Sequence, residues 1–403
     1  MRASVPASAF VASIVGFGGT LALIIAAAQA VHASGAQTAS WVTAICLALV
    51  LETAWLSWRY RMPVIAAWST PGAALIAASS GFTMNDAVGA FIAAALLLLV
   101  TGLFKPLTRL IARIPASVAS GMLAGIVVGF VIDAVKTVPA DPVFIFPLIA
   151  LFLFVRLFNP ALSVLAVLIL GTVAAYVGGR IGVLPTPVLS TLVLTAPHFS
   201  PATLFGLAIP LYLVTMASQN LSGLAVLRAD GYDPPPGPLI AVTGFFSAVS
   251  APFGAHSTNL AAISAAICTG PEAHPDAAKR WLTGPFYAFF YFVYAIFGAS
   301  LVALFAVLPQ SLIVLVAGLA LLAPLANALS IALASEQDRT AAITSFAVTA
   351  SGLTLLGIGS AFWGLAAGLA VIGLDLARNR WSSSRRDPLR VADEIEGEAL
   401  EME

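Results

Sequence analysis

His256 is one of four histidines in the chain and the only one inside a long apolar stretch; His32, His198 and His274 fall in polar connections. An ionisable group at membrane depth is a functional candidate by default, here for binding a substrate or handling a proton. Ser257, Thr258 and Asn259 follow it directly, after the break Ala251-Pro252-Phe253-Gly254-Ala255. A second polar cluster, Ser69-Thr70-Pro71-Gly72, follows Met62-Pro63-Val64-Ile65-Ala66-Ala67-Trp68, which reads as extended chain. Thr70 is expected as an N-cap, with Pro71 at the first helical position. The cluster His256–Asn259 is expected to open a half-helix of its own that runs through Ile267. Two such half-helices present free N–H groups and partial positive charge at mid-depth, an arrangement suited to an anion. A third cluster, Thr215-Met216-Ala217-Ser218-Gln219-Asn220-Leu221-Ser222-Gly223, carries adjacent amides that are costly in an apolar helix unless hydrogen-bonded.

Each of these features also has a structural explanation. Prolines and glycines kink helices, amides bond helices together, and a lone histidine often serves packing alone. Glu52, Asp133 and Asp375 lie toward the ends of their segments, where reaching the interface or pairing with Arg explains them. Cys46 and Cys268 are isolated in apolar surroundings and read as small hydrophobic residues. The chain shows no carboxylate pair, His/Cys cluster, nucleophile elbow or phosphate loop, so no enzyme, metal or cofactor is expected.

The elements that position these clusters are apolar throughout. Of 403 residues 60% are hydrophobic and 9% charged, with zero net charge, and the mean hydropathy is +1.01. A soluble domain carries about a quarter charged residues; the zero net charge also points away from a nucleic-acid partner. The run from Ala9 to Ala30 is longer than a signal-peptide core and reads as a first span. Apolar runs fall near 8–31, 40–58, 64–80, 86–104, 115–134, 141–157, 160–178, 201–226, 237–252, 254–269, 282–306, 309–334, 339–356 and 358–377. With fourteen spans and both termini cytoplasmic, all Lys and Arg except Lys136 and Arg180 fall on the cytoplasmic side, as the positive-inside rule requires.

The chain also reads as duplicated. Trp68-Ser69-Thr70 recurs loosely as His256-Ser257-Thr258, 188 residues on, and Ile114-Pro115-Ala116-Ser117 as Leu308-Pro309-Gln310-Ser311, 194 on. Seven spans is an odd number, so the second copy is inverted, an organisation typical of secondary transporters. The first repeat is placed at 8–178 and the second at 201–377, with a short solvated arm at 381–403.

Several blocks carry a family resemblance: Ala67–Ala74, Val214–Asn220, Asn259–Cys268, Glu272-Ala273-His274-Pro275-Asp276 with Arg280-Trp281, and Ala350–Thr354 through Gly357–Gly364. They resemble the benzoate:proton symporter family and, more distantly, the uracil and xanthine permeases. The resemblance implies an all-α polytopic membrane fold of fourteen segments in 7+7 inverted repeats. Segments 3 and 10 would each be a short strand plus half-helix. A core domain would come from segments 1–4 and 8–11, and a gate domain from 5–7 and 12–14. It implies import of benzoate or a related aromatic carboxylate by proton symport across a bacterial inner membrane, with a homodimer through the gate domains. Gln219 and His256 fall where the permeases place carboxylates that bind a neutral nucleobase, a departure that favours an anion and leaves the proton carrier open, with His256 the candidate. The substrate would contact Ser69, Thr70, Pro71, Gly72, Gln219, Asn220, His256, Ser257, Thr258 and Asn259. The rival readings are a nucleobase or inorganic anion on the same fold, an anion channel, or a membrane-embedded enzyme.

Overall fold

The computed structural model describes residues 2–104 and 115–378; the basic positions Lys105, Arg109 and Arg113 and the arm at 381–403 lie outside these. Among the described residues, eight helices are long and apolar enough to cross a membrane: α1 (Ser4–Ala30), α2 (Gly35–Tyr60), α4 (Met84–Leu103), α5 (Ala116–Ala140), α8 (Pro201–Ala229), α9 (Pro236–Phe253), α13 (Gln310–Ala334) and α15 (Ser360–Arg378). Between them lie β1 (Ala66–Trp68) and the half-helix α3 (Thr70–Ala77), the shorter apolar helices α6 (Pro142–Phe158) and α7 (Ser163–Val177), and β2 (Thr258–Leu260) with α10 (Ile263–Thr269). The segment expected at 282–306 is a bent pair, α11 (Ala277–Ile296) and α12 (Gly298–Ala306), 60° apart. The segment expected at 339–356 contains a helix only over α14 (Arg339–Ala350).

Close helix approach comes from small residues, which let backbones meet. A Cβ on Gly244 of α9 would sit 2.4 Å from the Leu99 nitrogen of α4, and one on Gly102 of α4 would sit 2.3 Å from the Ala241 nitrogen. Gly318, early in α13, faces the Phe130 carbonyl and Ala134 late in α5, so those two helices cross antiparallel. Both are 25 residues long and start directly after Pro115 and Pro309.

The two strands cross inside the bundle as an antiparallel pair, Ala66 opposite Leu260, Ala67 opposite Asn259 and Trp68 opposite Thr258. Extended backbone among apolar helices survives only if every peptide group finds a partner. The strands supply some bonds to each other, and Ile65 accepts from Ala261 N at 2.8 Å. Side chains from the surrounding helices supply the rest. Thr53 of α2 accepts from the Ala66 N–H at 3.0 Å, and Ser57 donates to the Val64 carbonyl at 3.0 Å. Ser247 of α9 accepts from Thr258 N at 2.9 Å, and Asn220 of α8 accepts from Leu260 N at 3.0 Å.

The structure corrects four sequence expectations. The half-helix placed at His256–Asn259 starts instead at Ile263, because residues 258–260 are held extended by β1, Ser247 and Asn220. The strands begin 192 residues apart, at Ala66 and Thr258, close to the 194 of the Pro-x-Ser turns, so the 188-residue match was out of register. The cap of α3 is Ser69, whose hydroxyl accepts from Gly72 N at 3.1 Å, and Thr70 is already helical. Finally, Glu52 does not reach an interface: it is fully buried beneath β2. Asp375 pairs with Arg378 as expected, and Asp133 pairs with Lys136 rather than an Arg.

His256 locks the crossing to α2. Its Nδ1 accepts from Trp41 Nε1 at 3.0 Å and its Nε2 lies 3.0 Å from the Ser69 carbonyl. An acceptor role at Nδ1 and a carbonyl at Nε2 fit the neutral ring with the proton on Nε2. His256→Ala strands a buried indole N–H, at a cost of about 1–3 kcal/mol when unpaired, and removes one of two donors from the Ser69 carbonyl, which keeps the Ala73 N–H at 2.8 Å. The expected outcome is a clear fall in the melting temperature of the detergent-purified protein, with Gln at 256, which keeps a donor and an acceptor, recovering part of it. Equal melting temperatures for His256→Ala, His256→Gln and the unmodified protein would contradict the lock.

Candidate functional site

The strand crossing leaves a cavity of about 450 Å³ on one side, between the starts of α3 and α10 and the helices α5 and α13. That volume is within the range of small-molecule sites. Its polar lining is Thr20 of α1, Thr70, Ser218, Gln219 and Ser222 of α8, Ser264 of α10, Tyr291 of α11 and Asn327 of α13. None of these carries a formal charge at neutral pH. The remaining walls are Ala67, Trp68, Pro71, Leu123 and Ala261–Ile263, with Ala320, Ala323 and Pro324 opposite.

Trp68 forms the aromatic face. Thr20 accepts from its Nε1 at 2.8 Å and itself donates to the Gly16 carbonyl at 2.7 Å, which fixes the ring. Phe17 and Tyr291 meet Trp68 edge-on with centroids at 5.5 and 6.0 Å, and Tyr287 lies against Tyr291 at 4.7 Å. Aromatic clusters of this geometry are rigid and bind flat apolar groups well. Beside Gly16, the Ser264 and Tyr291 hydroxyls lie 2.9 and 3.0 Å from where a Cβ would stand.

Four polar side chains at this cavity have no hydrogen-bond partner among the described residues: the Thr70 and Ser222 hydroxyls and the Gln219 and Asn327 amides. Pro324 adds an acceptor, because a proline inside α13 cannot donate to the carbonyl four residues earlier, that of Ala320. The α8 contribution comes from a π-helical turn, Thr215–Asn220, a local widening frequent at functional sites. That turn sends Gln219 to the cavity while Asn220 reaches β2.

The ten residues singled out from the sequence divide accordingly. Thr70, Pro71 and Gln219 line the cavity; Ser69, Gly72, Asn220, His256, Ser257, Thr258 and Asn259 do not. Those seven form the support behind it. Thr215 donates to the Ser69 hydroxyl at 2.9 Å and meets the Ser257 hydroxyl at 3.1 Å. Asn259 is a fully buried strand residue. Sequence reasoning missed Thr20, Ser264, Tyr291 and Asn327, while Ser218 and Ser222 stood in the third cluster without being singled out. Asn327 carried a usable signal, an amide in an apolar helix three residues after a proline; the others are ordinary helix residues until the fold brings them together.

Among the blocks that carry the family resemblance, Glu272–Asp276 with Arg280-Trp281 lies away from the cavity and fastens the loop after α10. Arg280 donates to the Thr269 and His274 carbonyls at 2.8 and 2.7 Å, satisfying the end of that half-helix. Trp281 stacks under Arg61 at 4.2 Å.

A second cavity of about 270 Å³ lies at the other end of α3, lined by Leu75, Ala77 and Ala78 together with Gly125, Gly129 and Asp133 of α5. The half-helix α3 thus stands between two cavities, both bordered by α5.

Comparison with known proteins agrees with this architecture. The chain matches the family described as Benzoate membrane transport protein over residues 2–374. It is 42% identical over 379 residues to "Inner membrane protein YdcO" of Escherichia coli (strain K12), covering 92% of this chain and 96% of that protein. It is 34% identical over 362 residues to the "Benzoate membrane transport protein" of Acinetobacter baylyi, covering 89% and 92%. The fold is similar to the transmembrane domain of a cyanobacterium bicarbonate transporter, BicA, with TM-score 0.60 at 16% identity over 91% of this chain and 96% of that one. It is also similar to SLC26A9, with TM-score 0.63 at 12% identity over 93% of this chain and 65% of that longer one. With these relatives and its apolar helices, the chain is a multi-pass protein of the bacterial inner membrane and belongs to the benzoate membrane transport protein family.

Proposed function

We propose that the protein imports benzoate or a related aromatic carboxylate by proton symport, with the larger cavity as its binding site. The observation that carries this reading is the cavity's composition. It joins a fixed aromatic face at Trp68 and Tyr291 to unpartnered neutral donors at Thr70, Gln219, Ser222 and Asn327. The ring lies against the aromatic face, and the carboxylate takes the hydroxyl and amide donors near the starts of α3 and α10, where partial positive charge favours an anion. An inorganic anion has no use for the aromatic face, which favours the aromatic acid over that alternative. On this reading His256 positions Ser69 and α3 rather than touching substrate.

The proposed architecture has fourteen segments in two inverted sevens, with both termini cytoplasmic. The equal lengths of α5 and α13 and the matching strand–half-helix pairs support it. Segments 1–4 and 8–11 form a core carrying the strand crossing, and segments 5–7 and 12–14 form a gate containing α5 and α13. Movement of the core, with α3, along α5 closes one cavity while opening the other, which is alternating access.

Two measurements test these statements. Gln219→Glu places a carboxylate beside the bound one; two like charges about 4 Å apart repel by about 4 kcal/mol at an effective dielectric near 20, so benzoate affinity is expected to fall about 10³-fold. Unchanged affinity in a well-folded Gln219→Glu protein would place the site elsewhere. For topology, a cysteine introduced at position 276 is expected to resist impermeant thiol reagents in intact cells, the native Cys46 and Cys268 both being buried. Labelling of that cysteine from outside would contradict the proposed orientation.

A further inference from the structure

The cavity lacks any group able to carry a proton at neutral pH, so a symporter of this design must hold its proton elsewhere. Glu52 of α2 is the only buried carboxylic acid among the described residues, with no exposed surface. Its Oε1 is hydrogen-bonded to the Thr258 hydroxyl, and its Oε2 has no partner. No cation pairs with it among the described residues. A carboxylate in that position would be an uncompensated buried charge, which is severely unfavourable.

The surrounding hydroxyl network suits the protonated acid better. Thr258 Oγ1 lies 2.9 Å from Ser247 Oγ and 3.1 Å from the Thr243 carbonyl. A threonine hydroxyl has one proton and two acceptor sites. With Glu52 ionised, Thr258 must give that proton to Oε1 and leave the Thr243 carbonyl without it. With Glu52 protonated on Oε1, Glu52 donates to Thr258, Thr258 donates to Thr243, and Ser247 donates to the remaining Thr258 lone pair. The proton completes the chain.

Thr258 is also a strand residue. It opens β2, pairs with Trp68 of the aromatic face, and leads three residues later to Ala261 at the cavity edge. The network therefore connects Glu52 to the wall on which substrate sits. The other titratable side chains on elements packed against α2 are Lys279, Arg280, Tyr287, Tyr291 and Tyr294 of α11, with His256 just before β2 and Cys46, Arg59 and Tyr60 on α2 itself. None is bonded to Glu52: Arg280 is committed to loop carbonyls, Lys279 to Asp276, and His256 to Trp41 and Ser69.

We propose that Glu52 is the coupling proton site: it holds a proton while the strand crossing buries it, moves with the substrate-loaded core, and releases the proton when core movement admits water to Oε2. The inference rests on the symport reading above and deepens it. One proton is gained by Glu52 from the outer solution and lost to the inner one per cycle, so anion and proton cross together without net charge.

Purified protein in proteoliposomes tests this with labelled benzoate. The unmodified protein is expected to exchange benzoate in counterflow and to accumulate it when the lumen is alkaline. Glu52→Gln, which retains a neutral amide, is expected to keep counterflow, lose its pH dependence, and lose about tenfold or more of the gradient-driven accumulation. Glu52→Asp is expected to recover part of it. Accumulation by Glu52→Gln equal to that of the unmodified protein would overturn this inference while leaving transport intact. Failure of the unmodified protein to exchange or accumulate benzoate would overturn the symport reading itself. Should Glu52→Gln not fold, infrared difference spectra of the unmodified protein still decide: the carbonyl band of a protonated carboxylic acid must appear or shift on adding benzoate at neutral pH, and its absence overturns the proposal.

Discussion

Extended backbone buried among apolar helices must have every N–H and C=O bonded, and the rest of this structure depends on that constraint. β1 and β2 meet it partly through each other and partly through Thr53, Ser57, Asn220 and Ser247, drawn from three different helices. His256 and Ser69 extend the same bonding to α2 and to the start of α3. Because α2, α8 and α9 are all bonded to one crossing, they are tied into a unit, and the half-helices that follow the strands are aimed by that unit. What looks in the sequence like a collection of polar residues for a ligand is largely the scaffold that permits two strands to exist there.

The division between scaffold and site follows from hydrogen-bond accounting. Most polar side chains behind the strands have partners, Glu52 Oε2 being an exception; those of Thr70, Gln219, Ser222 and Asn327 at the cavity have none among the described residues. None of these four is fully buried, so each is open to water or a ligand beside the fixed indole. The absence of a formal charge in the lining carries a second consequence. On the proposed reading, a neutral donor set takes the carboxylate without a permanent counter-ion, and charge compensation falls to the half-helix ends and to a proton held outside the cavity. Glu52 stands on the far side of β2 from the cavity, bonded to Thr258 of that strand.

Much of the fold was legible because apolar run length and punctuation report membrane helices directly. α1, α2, α5, α8 and α13 lie close to their expected places. The interrupted segments were legible as interruptions, since Met62-Pro63 and Ala251-Pro252-Phe253-Gly254 cannot continue a helix. Their register was not. Whether Thr258–Leu260 begins a helix or a strand depends on Ala66–Trp68 lying beside it, and no local property of Thr-Asn-Leu encodes that neighbour. Glu52 was misplaced for the same reason, because its burial comes from β2 crossing over α2. The site residues were partly legible. Gln219 stood out by polarity, whereas Ser264 and Tyr291 acquire their role from the approach of α10 and α11 to Gly16.

The central claim is that an aromatic carboxylate sits between Trp68 and α13. A structure of the protein bound to 3-bromobenzoate, with the bromine located by its anomalous scattering, tests it most directly. The account predicts one bromine peak inside the larger cavity, within contact of Trp68, Tyr291 or Pro324, and the carboxylate directed at Thr70 and Gln219. A peak confined to the second cavity at Leu75 and Asp133, or to the lipid-facing surface, would contradict it.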